Sequence, residues 1–118
     1  MKKILIADVK SSITNLLIQF LSNHFTTEIK EDGFESLVWP QRGNFPDLIN
    51  VDLHLPKLDG MELLEHVKES GYFRYIPIIS NSNNSSNWIQ YLKLGAVDYT
   101  AKPFNPEYLL IQIKKLLL

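Results

Sequence analysis

Ile4 to Ala7, Leu48 to Val51 and Ile76 to Ile79 are short runs of nearly continuous apolar character. A strand covered on both faces has this signature, because neither side of it meets water. After the first run, Ser11 or Ser12 can cap a helix in which Ile13, Leu16, Leu17, Phe20 and Leu21 recur at helical spacing. A more polar strand is predicted from Thr27 to Lys30, leading through Asp32-Gly33 into a short helix from Phe34 that Pro40 should stop. After the second run, Asp59 stands three residues before Glu62 in the manner of a capping box. Leu63, Leu64 and Val67 follow on one helical face until Ser70-Gly71. The polar stretch Ser80 to Asn87 reads as a loop, and the helix behind it carries an Ile89 and Leu92 seam and ends near Gly95. Val97 to Ala101 is the fifth predicted strand. Asn105 can cap a last helix with Pro106 at its first position, directing Leu109, Leu110, Ile113, Leu116 and Leu117 inward.

Strand then helix, repeated along the whole chain, calls for right-handed crossovers. The expected fold class is α/β: a five-stranded parallel sheet, (βα)5 and doubly wound, with helices on both faces. At 118 residues this is one domain over 1–118, with neither a linker nor a repeat. An apolar fraction of 45% against 21% charged residues excludes a disordered chain. A net charge of −1 supplies no field for nucleic acid or an anionic membrane, so neither is expected as a partner. The absence of cysteine excludes disulfides, thiolate metal sites and cysteine nucleophiles. The apolar run behind Met1-Lys2-Lys3 is too short for a signal peptide or a membrane span, which makes a cytoplasmic location the default.

In open parallel sheets, ligands bind beyond the carboxyl ends of the strands. Asp8, Asp52, Ser82 and Lys102 fall at or just past four predicted strand ends. One crevice can therefore collect two carboxylates, a hydroxyl and an ammonium. That mixture suits phosphoryl chemistry, with a carboxylate as nucleophile and cations and donors facing the equatorial oxygens.

The spacing Asp52-x-x-x-Pro56-x-x-Asp59-Gly60, a hydroxyl residue after strand four, and Tyr99-x-x-Lys102-Pro103-Phe104 after strand five resemble the receiver domain of bacterial response regulators, whose fold is CheY-like and flavodoxin-like. The resemblance covers essentially the whole chain. It implies that Asp52 accepts a phosphoryl group from a sensor histidine kinase or phosphotransfer protein. It further implies that Ser82 bonds the phosphoryl oxygens, that Lys102 pairs with them, and that Tyr99 is the aromatic switch residue moving with Ser82. Pro103 would follow the lysine in a cis peptide, while Pro56, Asp59 and Gly60 turn the chain into the next helix. His54 and Asn84 would border the phosphoryl pocket. The face made by the fourth helix, fifth strand and fifth helix would carry homodimer or effector contacts; Trp88 and Tyr91 lie three apart on the fourth helix, where one is expected to pack into the core and an aromatic anchor suits such a face. Any catalysis would be limited to the domain's own phosphotransfer and dephosphorylation at Asp52.

One departure bears on the metal. The family usually ends strand one with two adjacent acids that help to hold Mg²⁺, whereas here Asp8 is followed by Val9. Asp8, Asp52 and the backbone carbonyl of His54 remain as ligands, a weaker set for an ion that prefers octahedral oxygen ligation. A rival reading follows, a pseudo-receiver that binds partners without phosphorylation. An aspartate-nucleophile phosphatase is disfavoured because His54 stands where a second aspartate would serve as general acid. A dinucleotide fold lacks its glycine-rich loop, since Asp8-Val9-Lys10-Ser11-Ser12 follows strand one.

Several of these residues also have ordinary structural roles. Asp59 is a helix cap, Ser82 lies among residues where a hydroxyl occurs by chance, and His24 and His66 are surface helix residues. Asn50, inside a strand expected to be buried, requires a hydrogen-bonding partner. The chain ends with its fifth helix, and so reads as a stand-alone receiver or a part excised from a longer regulator.

Overall fold

The computed structural model describes residues 1–9, 11–82, 88–101 and 105–117. Among them strands and helices alternate as β1 (Lys3–Ala7), α1 (Ser11–Leu21), β2 (Thr26–Lys30), α2 (Gly33–Gln41), β3 (Leu48–Asp52), α3 (Gly60–Glu69), β4 (Ile78–Ser82), α4 (Trp88–Lys93), β5 (Asp98–Ala101) and α5 (Pro106–Leu117). The strands form one parallel sheet in the order β2-β1-β3-β4-β5. The chain changes direction across the sheet between β1 and β3, where this topology opens a crevice at the carboxyl ends of the strands.

Because side chains alternate across a strand, β1, β3 and β4 each feed two cores. Leu5, Ala7, Ile49, Val51 and Ile78 pack with Leu63, Leu64 and Val67 of α3 and Tyr91 of α4. On the other face Ile4, Ile6, Leu48 and Ile79 meet Leu17 and Leu21 of α1 and Leu109 and Ile113 of α5. Both faces of the central strands are dry, which accounts for their continuous apolar runs.

Four local expectations are corrected. Helix α2 continues through Pro40 to Gln41, and beyond the proline the Arg42 N–H still donates to the Val38 carbonyl at 3.2 Å, so the one N–H that Pro40 lacks does not end the helix there. The polar residues Ser80, Asn81 and Ser82 belong to β4 rather than to a loop, and Ser80 and Asn81 are fully buried. Ile89 and Leu92 are exposed at 51% and 36%, while Tyr91 turns inward. Leu16 of α1 and Leu116 of α5 also face solvent, and on α5 the inward position is taken by Gln112. Gln112 is held there by polar partners: its Nε2 donates to Asp98 Oδ2 at 2.9 Å and its Oε1 accepts from Thr100 Oγ1 at 2.9 Å.

Candidate functional site

Asp52 is the last residue of β3, and Asp8 follows the last residue of β1. The β1–β3 register pairs Ala7 with Val51, so the next step along both strands sets Asp8 beside Asp52. They are only 1% and 2% exposed. One oxygen of Asp52, Oδ1, accepts the backbone N–H of His54 at 3.1 Å, and the backbone N–H of Asp8 donates to the Lys30 carbonyl at 3.1 Å. Two nearly buried carboxylates at adjacent strand ends repel each other and lose hydration, so the pair calls for positive charge nearby. Neither is without a partner. Lys102 and Pro103, to which the sequence assigns a part here, lie outside the described residues, as do Asn84 and the side chains of Ser82 and Trp88.

Val9 follows Asp8 directly in the chain and is 42% exposed. With Leu55, Pro56, Met61 and Tyr91 it lines an open depression that also reaches His54 and Asp59. The position that would carry an acid is thus an apolar rim. Among the described residues no group of three or more His, Cys, Asp or Glu side chains is placed to hold a metal.

The connection from Asp52 to α3 is braced from two sides. Asp59 caps α3, its Oδ1 accepting Glu62 N–H at 2.9 Å, as the sequence anticipates. Gly60 N–H donates to the Leu53 carbonyl at 3.2 Å. On the other side, the Gly33 N–H that opens α2 donates to the Pro56 carbonyl at 3.1 Å, and a β carbon at Gly33 would overlap the Leu58 carbonyl oxygen. Lys57, in the left-handed region with φ 68°, turns the chain between them and sets its ammonium 3.7 Å from Asp32 Oδ2. Asp32 also caps α2 by accepting Glu35 N–H at 2.7 Å. Sequence reasoning missed this brace: the Asp-Gly-x-Glu pattern shared by Asp32-Gly33-Phe34-Glu35 and Asp59-Gly60-Met61-Glu62 marks the two caps but not the contact between them.

Further across the sheet, Asn81 lies opposite Asp52 in register and Ser82 ends β4. Asn50 finds its required partner in Asn81: Asn81 Nδ2 donates to Asn50 Oδ1 at 2.8 Å, and Asn50 Nδ2 to Asn81 Oδ1 at 3.4 Å. Tyr99 of β5 is half-buried and stacks on Tyr91 of α4, with ring centroids 5.9 Å apart and planes at 26°.

A doubly wound sheet with paired acids at the switch point and a capped Asp-Gly turn behind the second acid defines a recognisable class. The model of the response regulator receiver domain family matches residues 4–114, and the chain belongs to that family, the receiver domains of two-component systems. It is 33% identical over 117 residues to the alkaline phosphatase synthesis transcriptional regulatory protein PhoP of Bacillus subtilis, covering 98% of this chain and 48% of PhoP. It is likewise 33% identical over 118 residues to protein RcaC of Microchaete diplosiphon, covering 99% of this chain and 18% of RcaC. The chain therefore spans half or less of the length of these relatives. In structure it is similar to the chemotaxis response regulator CheY4 of Vibrio cholerae, with a TM-score of 0.89, 28% identity and 98% of each chain covered. The fold is CheY-like, and receiver domains of this kind are signalling modules rather than ordinary enzymes. No helix among the described residues is long and apolar enough to cross a membrane.

Proposed function

We propose that this chain is a working phosphoacceptor, taking a phosphoryl group on Asp52 from a sensor histidine kinase or phosphotransfer protein. The observation that carries this reading is the pairing of Asp8 and Asp52, nearly buried at adjacent strand ends. Burying two like charges is costly, so a fold that retains both has a use for them.

In the proposed step an oxygen of the Asp52 carboxylate attacks the phosphorus of a phosphohistidine. The P–N bond breaks, the electron pair leaves with the imidazole, and an acyl phosphate forms. The His54 N–H holds Asp52 Oδ1 and so limits rotation of the carboxylate. The Ser82 hydroxyl and Lys102 ammonium face the transferred oxygens in this reading. Asp8, Asp52 and the His54 carbonyl are the groups that would hold Mg²⁺, and the ion would neutralise charge on the phosphoryl oxygens. Val9 contributes no oxygen, so the ion would be held more weakly than where a second acid follows Asp8. Water attack at phosphorus returns free Asp52 and inorganic phosphate.

The output is a change at the face of α4, β5 and α5, where Ile89, Val97, Tyr108 and Ile111 are exposed and suit a second copy or an effector. The rival reading is a pseudo-receiver presenting this face without phosphorylation, favoured by the apolar exposure of Val9. Intact mass after incubation with acetyl phosphate and Mg²⁺ separates them. One phosphoryl group on the parent and none on Asp52→Asn supports the acceptor. An unmodified parent beside a modified Val9→Asp supports the pseudo-receiver.

A further inference from the structure

The Asn50–Asn81 pair lies deep in the sheet, and both residues are wholly buried. A polar pair at such a place is no better for stability than two apolar side chains of matching shape, which makes its presence informative. Its position supplies a reason. Asn50 precedes Asp52 by two residues on β3 and so shares its face, on the side opposite Ile49 and Val51. Asn81 is the register partner of Asp52 on β4 and immediately precedes Ser82. Leu53 N–H donates to the Asn81 carbonyl at 3.1 Å, extending the ladder past the acceptor. The two carboxamides therefore bridge β3 and β4 at the strand ends that carry Asp52 and Ser82, with Asn81 level with Asp52 and Asn50 two residues before it.

The polar row continues. Asn81 pairs in register with Thr100 on β5, and Thr100 Oγ1 donates to Gln112 of α5. Asp52, Asn81 and Thr100 thus occupy one row on the face of the sheet that α1 and α5 cover.

We infer that Asn50 and Asn81 are positioning residues for phosphoryl transfer: their reciprocal hydrogen bonds fix the separation of the two strand ends between which the phosphoryl group is received. This rests on the phosphoacceptor reading. The carboxamides touch neither phosphorus nor its donor. They act through the placement of Asp52 and Ser82, and misplacement by a fraction of an ångström is enough to slow a transfer that depends on alignment.

The test compares the parent, Asn50→Val, Asn81→Val and the double variant for thermal midpoint and for rate of phosphoryl uptake from acetyl phosphate with Mg²⁺. Each single variant strands a buried carboxamide and melts below the parent; the double variant removes both polar groups and recovers the midpoint. Its rate of uptake nevertheless falls about tenfold or more. A double variant that melts like the parent and is phosphorylated at the parent's rate overturns the inference. Should the double variant not fold, the side-chain amide signals of Asn81 are followed by NMR in the parent: they shift on phosphorylation if the pair senses the acceptor, and unmoved signals overturn the inference. A parent that takes up no phosphoryl group defeats the receiver reading itself, and the inference falls with it.

Discussion

Gly60 lies against the backbone of Asp52: a β carbon at position 60 would sit 2.7 Å from the Asp52 carbonyl oxygen and 2.5 Å from the Leu53 α carbon. The glycine after Asp59 is therefore required by closeness to the end of β3 rather than by an unusual dihedral angle. Gly60→Ala must displace either the start of α3 or the end of β3. An overpacked backbone contact of this kind costs about 1–3 kcal/mol, to be read from urea unfolding. Where the end of β3 gives way, the same variant also slows phosphoryl uptake, because the crowded atoms are the Asp52 carbonyl and the Leu53 α carbon next to it.

The Tyr91–Tyr99 stack gives a second prediction. Tyr91 is 3% exposed and belongs to the core beneath α4. Tyr91→Ala should cost about 3–5 kcal/mol, as for other large aromatics removed from a core. Tyr99→Ala, from a half-buried position, should cost less. In a double-mutant cycle by equilibrium unfolding the pair should show a coupling of about 0.5–1.5 kcal/mol; additive losses would mean that the rings are merely neighbours.

Gln112 is the third case. Gln112→Ala removes the acceptor of the buried Thr100 hydroxyl and the donor to Asp98. A loss of about 1–3 kcal/mol is expected from the stranded hydroxyl. Thr100→Val combined with Gln112→Leu should recover most of it, since the stranded hydroxyl is then removed together with its acceptor.

How much of this was legible in the sequence depends on the range of the interaction. The apolar runs revealed β1 and β3 because a doubly covered strand needs no information from elsewhere. The cap at Asp59 was likewise visible, being a contact across three residues. The end of β4 was not. Ser80 and Asn81 have the composition of a loop, and only pairing with Asn50, 31 residues away, makes Asn81 acceptable in a core. The α4 seam failed for a different reason. A helix of 6 residues has too few turns to declare its inward face by periodicity, and Tyr91 won because its ring meets Tyr99 from another strand. In the site, the paired strand ends of Asp8 and Asp52 were foreseeable, whereas the support of the following loop by Gly33 was not, because it arises between α2 and a turn that the chain reaches much later.

Val9→Asp bears on the metal. Adding a carboxylate at the rim of the site should lower the Mg²⁺ concentration that gives half-maximal phosphorylation on the order of tenfold, because affinity for a hard cation follows the count of charged oxygen ligands. A titration with Mg²⁺ at fixed acetyl phosphate reads this directly. An unchanged midpoint would place the ion away from position 9.

The most direct test of the account is chemical location of the phosphoryl group. An acyl phosphate is reduced by borohydride to the alcohol, so an aspartyl phosphate leaves homoserine at its own position, which peptide mass mapping identifies. Homoserine is expected at position 52 of the phosphorylated parent. Homoserine at position 8 or 59, or at no position, would contradict it.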